Sequence, residues 1–387
     1  MTRGSSSPVA ARARGLRHDL VTPLILAFIL AVMAIVTGYF GDELTRRVVT
    51  LTLINLAMVV GLQSFMGNSG VASFGHVGFM LLGAYGTVLL TLTPREKSFI
   101  LREMPRDWFL HEFHLPFFAA LLVAGILVSG VAAIIGIPLL RIGATAFGLT
   151  SFAFLVVIRI VAVSSDALTN GTRTLVGIPH LTQLWTVTVF AIVFVLVAYL
   201  FKESRWGLQL RSSREDFRAA QSIGINVFRV RLLGWVISAF ITAVAGGLWA
   251  FYVTIFSPVD FWVNIAFLII SMLVIGGQAS VTGAVVGAIV ISFTSHVLTL
   301  LQNEVNFARA SDPNLARLIG RDLVGIPEFV VAAGLLLVLI LRPAGIMGGH
   351  EIGLPDRWHG LSQRKDAMEP PPGAILDASL QAPTVRE

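Results

Sequence analysis

No cysteine occurs anywhere in the 387 residues, which excludes disulfides, thiolate metal sites and cysteine nucleophiles. Charge is scarce too. Asp, Glu, Lys and Arg together make up 13% of the chain, against about a quarter in a soluble domain, whose surface needs them. Lysine is confined to Lys97, Lys202 and Lys365. They follow Glu96, Phe201 and Arg364, so none completes the Gly-Lys-Ser/Thr run by which a nucleotide-binding loop brings lysine to phosphates. Hydrolysis of ATP, if the protein depends on it, belongs to another chain. The His-Glu-x-x-His spacing of a helical zinc pair and a Gly-x-Ser-x-Gly elbow are also missing, which leaves an intramembrane enzyme little support. No catalytic residue, metal site or cofactor is expected.

What is present is hydrocarbon. Hydrophobic residues make up 55% of the sequence and the mean hydropathy is +0.82, so most of the chain faces lipid or other buried helices. The expected fold class is an all-α integral membrane protein of about ten transmembrane helices. Candidate spans fall near 21–40, 48–66, 70–92, 116–140, 144–163, 183–201, 231–254, 263–278, 282–301 and 325–341, each near the ~17–25 residues a crossing needs. A nine-span reading with one re-entrant segment stays open. The run Val21–Phe40 is longer than a signal-peptide core and no small-residue cleavage site follows it, so it reads as an uncleaved first span.

The formal net charge of +6 lies between apolar spans rather than on a polar, aromatic surface, so membrane orientation explains it better than nucleic acid. Segment 202–230 carries Lys202, Arg205, Arg211, Arg214, Arg218 and Arg229 against Glu203, Glu215 and Asp216. With an even span count, this segment and both termini are expected in the cytoplasm. The organisation that follows is a cytoplasmic segment over 1–20, a transmembrane domain over 21–342 and a Pro-rich, charged tail over 343–387. That tail cannot bury a core and is expected to be disordered. The span interiors hold no Asp or Glu, which counts against a proton- or sodium-coupled carrier.

Glycines cluster at 67, 70, 75, 78, 83 and 86, and again at 276, 277, 283 and 287. Small residues let helices approach closely and also permit broken helices beside a transport path. The first cluster points to a discontinuous helix near 67–75. The sequence Val-Gly-Ile-Pro occurs at 176–179 and at 324–327, where each proline is expected to open a helix.

Residues 213–223 are expected to form a short, polar, amphipathic helix ended by Gly224. Arg218, Ala219, Ala220 and Gly224 stand at the spacing of the Glu-Ala-Ala-x-x-x-Gly signature in the coupling segment of ABC importer permeases, with arginine in the glutamate place. The runs GVASFGHVGFMLLGAYGTVLL (70–90), SSDALTNGTRTLVGIP (164–179), GINVFRVRLLGWVISAFITAVAGGLWAFYVTIFSP (224–258), VIGGQASVTGAVVGA (274–288) and LLLVLILRPAGIMGG (335–349) resemble, in order, the permease family of branched-chain amino-acid ABC transporters.

That resemblance implies one of two permease subunits, paired as a heterodimer in the bacterial inner membrane. It also implies two cytoplasmic ATPases and a periplasmic solute-binding protein as partners, and a branched-chain or other small amino acid or related polar solute as cargo. The competing reading is a secondary carrier or facilitative channel acting alone.

Glu215, Asp216, Ala219, Ala220 and Gly224 are the candidate ATPase-coupling residues, against a plain solvated helix. Ser73, His76 and Gly78 could line the path, His76 as a neutral hydrogen-bonding group or else as a link to a neighbouring helix. Arg159 lies about four residues from the outer end of its span. It reads either as an anchor for a solute carboxylate or as a snorkelling side chain. Asp166, Asn170 and Gly171 occupy an outer loop, where they form a turn or meet the binding protein.

Overall fold

The computed structural model describes residues 21–311 and 323–352; segment 1–20 and the tail from 353 onward, both addressed by the sequence reading, lie outside the described residues. In chain order, α1 (Val21–Phe40) and α2 (Glu43–Leu62) lead into a π-turn, Gln63–Gly67, and then to α3 (His76–Thr91). Short α4 (Pro94–Ile100) and α5 (Phe109–Glu112) precede α6 (Phe117–Leu139), α7 (Ala144–Ser164) and the one-turn α8 (Asp166–Thr169). There follow α9 (Leu184–Glu203), α10 (Arg205–Glu215), α11 (Phe217–Ser222), α12 (Val227–Val253), α13 (Val263–Gly276), α14 (Val281–Ser311) and α15 (Ile326–Leu341). The strands among the described residues are β1 (Leu175–Val176) and β2 (Ile255–Phe256), an antiparallel pair with Leu175 opposite Phe256.

Ten of these helices are apolar, each overlapping one of the ten expected spans. Seven are long enough to cross a membrane, while α3, α13 and α15 are shorter. At about 1.5 Å per residue these three reach roughly 21–24 Å, less than the ~30 Å hydrocarbon core. Non-helical backbone at 70–75 precedes α3, so the first glycine cluster does mark a broken helix, while the second surrounds the 277–280 turn between α13 and α14.

Three helices, α2, α3 and α12, form the interior, and α3 is buried along most of its length. In α2, running on through the π-turn, 89% of the apolar stretch is buried, and in α12 67%; α12 packs most extensively on α3, then on α6 and α2. The α3–α12 crossing depends on glycine from both sides. A Cβ on Gly83 would collide with the Ala243 carbonyl, and one on Gly246 with that of Met80, so the backbones touch where lipid offers no hydrophobic force to hold them. α7 is peripheral, only 28% buried over its apolar stretch, and sends Phe147, Ser151 and Phe154 inward.

Four features depart from the sequence reading. The expected helix 213–223 is two helices, α10 and α11, because Asp216 stands in extended conformation between them and its carboxylate accepts the Arg218 and Ala219 N–H groups at 2.8 and 2.9 Å. An aspartate that satisfies the first free N–H groups starts a new helix rather than continuing the old one. Pro327 opens α15, but Pro179 opens none; α9 begins at Leu184. α14 continues as a helix to Ser311, ten residues past its apolar run. The start of the expected tail is folded: Ile346 and Met347 donate their N–H groups to Ile275 O and Gly276 O at 2.8 and 3.0 Å.

Candidate functional site

The α10–α11 segment forms an angular projection at one end of the bundle. Glu215 closes α10, Asp216 makes the corner, and Ala219 lies on the outer face of α11; all three are exposed, as is Gly224, while Ala220 is buried beneath. Gly224 has φ +84° with open space where a side chain would stand, the left-handed C-cap its position after the helix suggested. Phe217 and Ile223 are 45% and 75% exposed beside these charges, which makes the projection a mixed apolar and charged surface.

The projection is bonded to the broken helix. Arg214 in the last turn of α10 donates Nη1–H to Gly67 O at 2.7 Å, and its stem lies against Gly70, which has φ +69°. Arg214 thus satisfies a carbonyl that the π-turn leaves outside the regular ladder. Inside a membrane such a group needs an internal partner. The neighbouring break is closed in the same way: Val71 N–H reaches Ser69 Oγ and Phe74 N–H reaches Ser151 Oγ, each at 3.2 Å. π-turns within α-helices concentrate at functional sites. Here the turn also buries the amide of Gln63 with neither polar atom partnered.

The candidate path residues separate into two places. Ser73 and His76 lie together: His76 Nδ1 meets Ser73 Oγ at 2.9 Å, and Nε2 shares a short hydrogen bond with Ser238 Oγ of α12. Phe65, Phe79 and Trp235 surround the ring with centroids 5.0–5.9 Å away. Both imidazole nitrogens are therefore committed to protein groups inside a closed aromatic box. Gly78 packs on Phe154 next to it.

Arg159 is elsewhere, half-buried on α7, its guanidinium 4.2 Å from the centre of the Trp262 ring and its Nε buried without a partner. Trp262 precedes α13, and a row of aromatic contacts runs from it through Phe152 and Phe74 to Phe267. This face between α7 and α13 pairs a cation with aromatic surface. Such a pair suits a small solute carrying a carboxylate and an apolar side chain.

Asn170 and Gly171 form a left-handed turn, and both are buried; only Asp166 of the three outer-loop candidates is exposed. Their cover is the 93–115 segment. Asn170 Nδ2–H bonds Ile100 O at 3.1 Å, and Arg173 pairs with Glu103 at 3.0 Å. Lys97 holds the segment together, donating to Leu110 O and Phe113 O at 2.6 and 2.5 Å, and burial pushes its ammonium below the ordinary lysine value. The outer surface at this end is therefore the cap rather than the turn.

The sequence reading did not connect a polar groove between α2, α13 and α14. Thr52, Asn55, Ser292, Ser295 and His296 line it, with Asn55 Nδ2–H donating to Ser292 Oγ at 3.2 Å and His296 Nε2 buried and unpaired. Only the α2–α14 contact, in which Asn55 and Ser292 meet across 237 residues, assembles this groove.

Comparison with known proteins places this arrangement. The chain is 22% identical over 352 residues to the high-affinity branched-chain amino acid transport system permease protein LivM of Escherichia coli K12, covering 82% of this chain and 73% of that protein. It is 26% identical over 164 residues to the probable branched-chain amino acid transport permease protein LivH of Methanocaldococcus jannaschii, covering 42% and 47% of the two chains. A third relative, BraD of Pseudomonas aeruginosa, a high-affinity permease protein for the same class of solute, is 29% identical over 180 residues, or 46% and 50% of the two chains. No solved structure gives a significant match. Residues 44–341 match the model of the permease component of branched-chain amino acid transport systems, so this multi-pass membrane chain belongs to that transport permease family.

Proposed function

We propose that the chain is one permease subunit of an ATP-driven importer for branched-chain amino acids or closely related solutes. It would work beside a second permease, two ATPase subunits and a solute-binding protein. The observation that carries this reading is the exposed α10–α11 projection hydrogen-bonded through Arg214 to the break in α2. Force applied at Asp216 reaches the broken helix through one charged contact, without crossing the core. Glu215, Asp216, Ala219 and Gly224 form the gripped surface, and buried Ala220 sets its seat.

Orientation follows from charge. Segment 202–230 carries Lys202, Arg205, Arg211, Arg214, Arg218 and Arg229 against Glu203, Glu215 and Asp216, whereas basic and acidic residues balance in 93–115, which supports a cytoplasmic position for the projection end and for both termini in a bacterial inner membrane. The opposite end, with the 93–115 cap and exposed Asp166, faces the binding protein. On the path, Arg159 holds the solute carboxylate against Trp262. His76, with both nitrogens bonded, fixes α3 to α12 beside the route.

Reconstitution in proteoliposomes tests the reading. The full complex with binding protein and ATP takes up radiolabelled leucine, and the chain alone moves none. Leucine flux through the lone chain would replace this reading with a stand-alone carrier.

A further inference from the structure

The coupling segment has a second connection, and it runs through a residue of the segment expected as tail. The Glu351 side chain is 6% exposed and lies 2.5 Å from Lys202 Nζ, whose side chain is 4% exposed in the last turn of α9. The same carboxylate accepts N–H from Val281 at 2.8 Å and from Thr282 at 2.9 Å, and the Thr282 hydroxyl at 2.6 Å. Glu351 therefore shares the N-terminal capping of α14 with Ser280, which accepts the Gly283 N–H, and does so from about seventy residues downstream with an ammonium as its fourth partner. Immediately before it, Ile346 and Met347 bond the last carbonyls of α13, and Gly345 and Gly348 lie against Gly277 in the turn between α13 and α14. Residues 342–351 thus strap that turn from below.

Lys202 is the last but one residue of α9, and α10 follows after a single residue. Arg211 of α10 returns to this end, donating to Lys202 O at 3.0 Å and to Glu203 at 3.4 Å. On its other side α10 holds Gly67 through Arg214, and Gly67 abuts the Gln278 carbonyl in the same α13–α14 turn. Both connections converge on 277–282.

We propose that Glu351 is a positioning residue for transport: it joins the coupling segment, through Lys202, to the α13–α14 turn, so that a displacement of α10 moves the start of α14. The inference rests on the reading of α10–α11 as the ATPase contact. A carboxylate with every acceptor position filled cannot slide to a new partner without stranding a buried charge. A pull on Lys202 is therefore passed on rather than absorbed. A buried ion pair is a poor way to add stability, because neutral residues of similar volume often serve as well. That difference separates a mechanical role from a structural one.

The test uses the assembled complex in proteoliposomes and reads leucine moved per ATP hydrolysed. Glu351→Gln, and the doubly neutral Lys202→Met/Glu351→Gln, are expected to lower that ratio at least about tenfold while ATP hydrolysis and subunit stoichiometry hold. In a Lys202→Cys/Glu351→Cys chain, which carries no other cysteine, a reducible bifunctional thiol reagent restores the ratio and reduction removes it again. An unchanged ratio in Glu351→Gln, or full recovery in the doubly neutral chain, overturns the proposal and leaves a stabilising ion pair. Loss of the assembled complex in both of these chains also overturns it. A wild-type complex that moves leucine without ATP overturns the reading beneath it, and this inference with it.

Discussion

Gly224 offers the sharpest test of the coupling surface, because its backbone and its surroundings make different demands. Its φ is +84°, and an added Cβ would meet no atom within 4 Å. Any cost of substitution is therefore conformational. A left-handed residue costs about 1–2 kcal/mol for an ordinary L side chain, with a β-branched residue at or above the upper end and Asn far below it. Gly224→Val at about 2 kcal/mol would lower the ratio of native to displaced projections roughly thirtyfold, since each 1.4 kcal/mol is a factor of ten. Gly224→Ala falls between, and Gly224→Asn stays near wild type. The strain lies in an exposed corner of a six-residue helix, so α10–α11 shifts while the bundle survives. The assay pairs the thermal midpoint of purified protein with the ratio of uptake to ATP hydrolysis. Coupling should fall in the order Asn, Ala, Val at nearly constant midpoint. If Asn uncouples as strongly as Val, or Val couples fully, the left-handed corner is not what the ATPase grips.

Three further outcomes are expected. Arg159→Gln should abolish uptake of a carboxylate-bearing solute while the assembled complex is retained, the lost Trp262 contact costing only about 1 kcal/mol of stability; unchanged uptake would return Arg159 to a snorkelling role. His76→Leu strands the Ser238 hydroxyl and should cost about 1–3 kcal/mol, read as a lower thermal midpoint with KM for leucine unchanged; a shift in KM alone would put His76 on the path. Asp216→Cys in right-side-out vesicles should stay unreactive toward a membrane-impermeant maleimide and react once the vesicles are opened. Labelling in sealed vesicles would place the projection on the wrong side.

Much of this protein can be read directly from its residues, for a physical reason. Crossing a hydrocarbon layer requires long apolar runs, and local composition alone reveals them, so ten helices could be found without any partner in view. The glycines at 67–75 signalled a break in the same local way, as did the left-handed Gly224 after a helix. The family was legible because short motifs recur in order along the chain.

What sequence could not supply was anything that depends on two distant segments meeting. The polar run 213–223 has helical composition throughout, yet Asp216 divides it, because a carboxylate at that point satisfies a new helix start and turns the corner. Asn170 looked like a surface turn, and only the tertiary fold lays Ile100 across it. Glu351 sat in a stretch whose proline and charge suggest disorder. It is folded because Lys202, 149 residues earlier, and the free N–H groups of α14 converge on one carboxylate. Hydropathy is a property of each residue and survives in the linear chain, whereas a buried charge is stable only in the company that the three-dimensional arrangement provides.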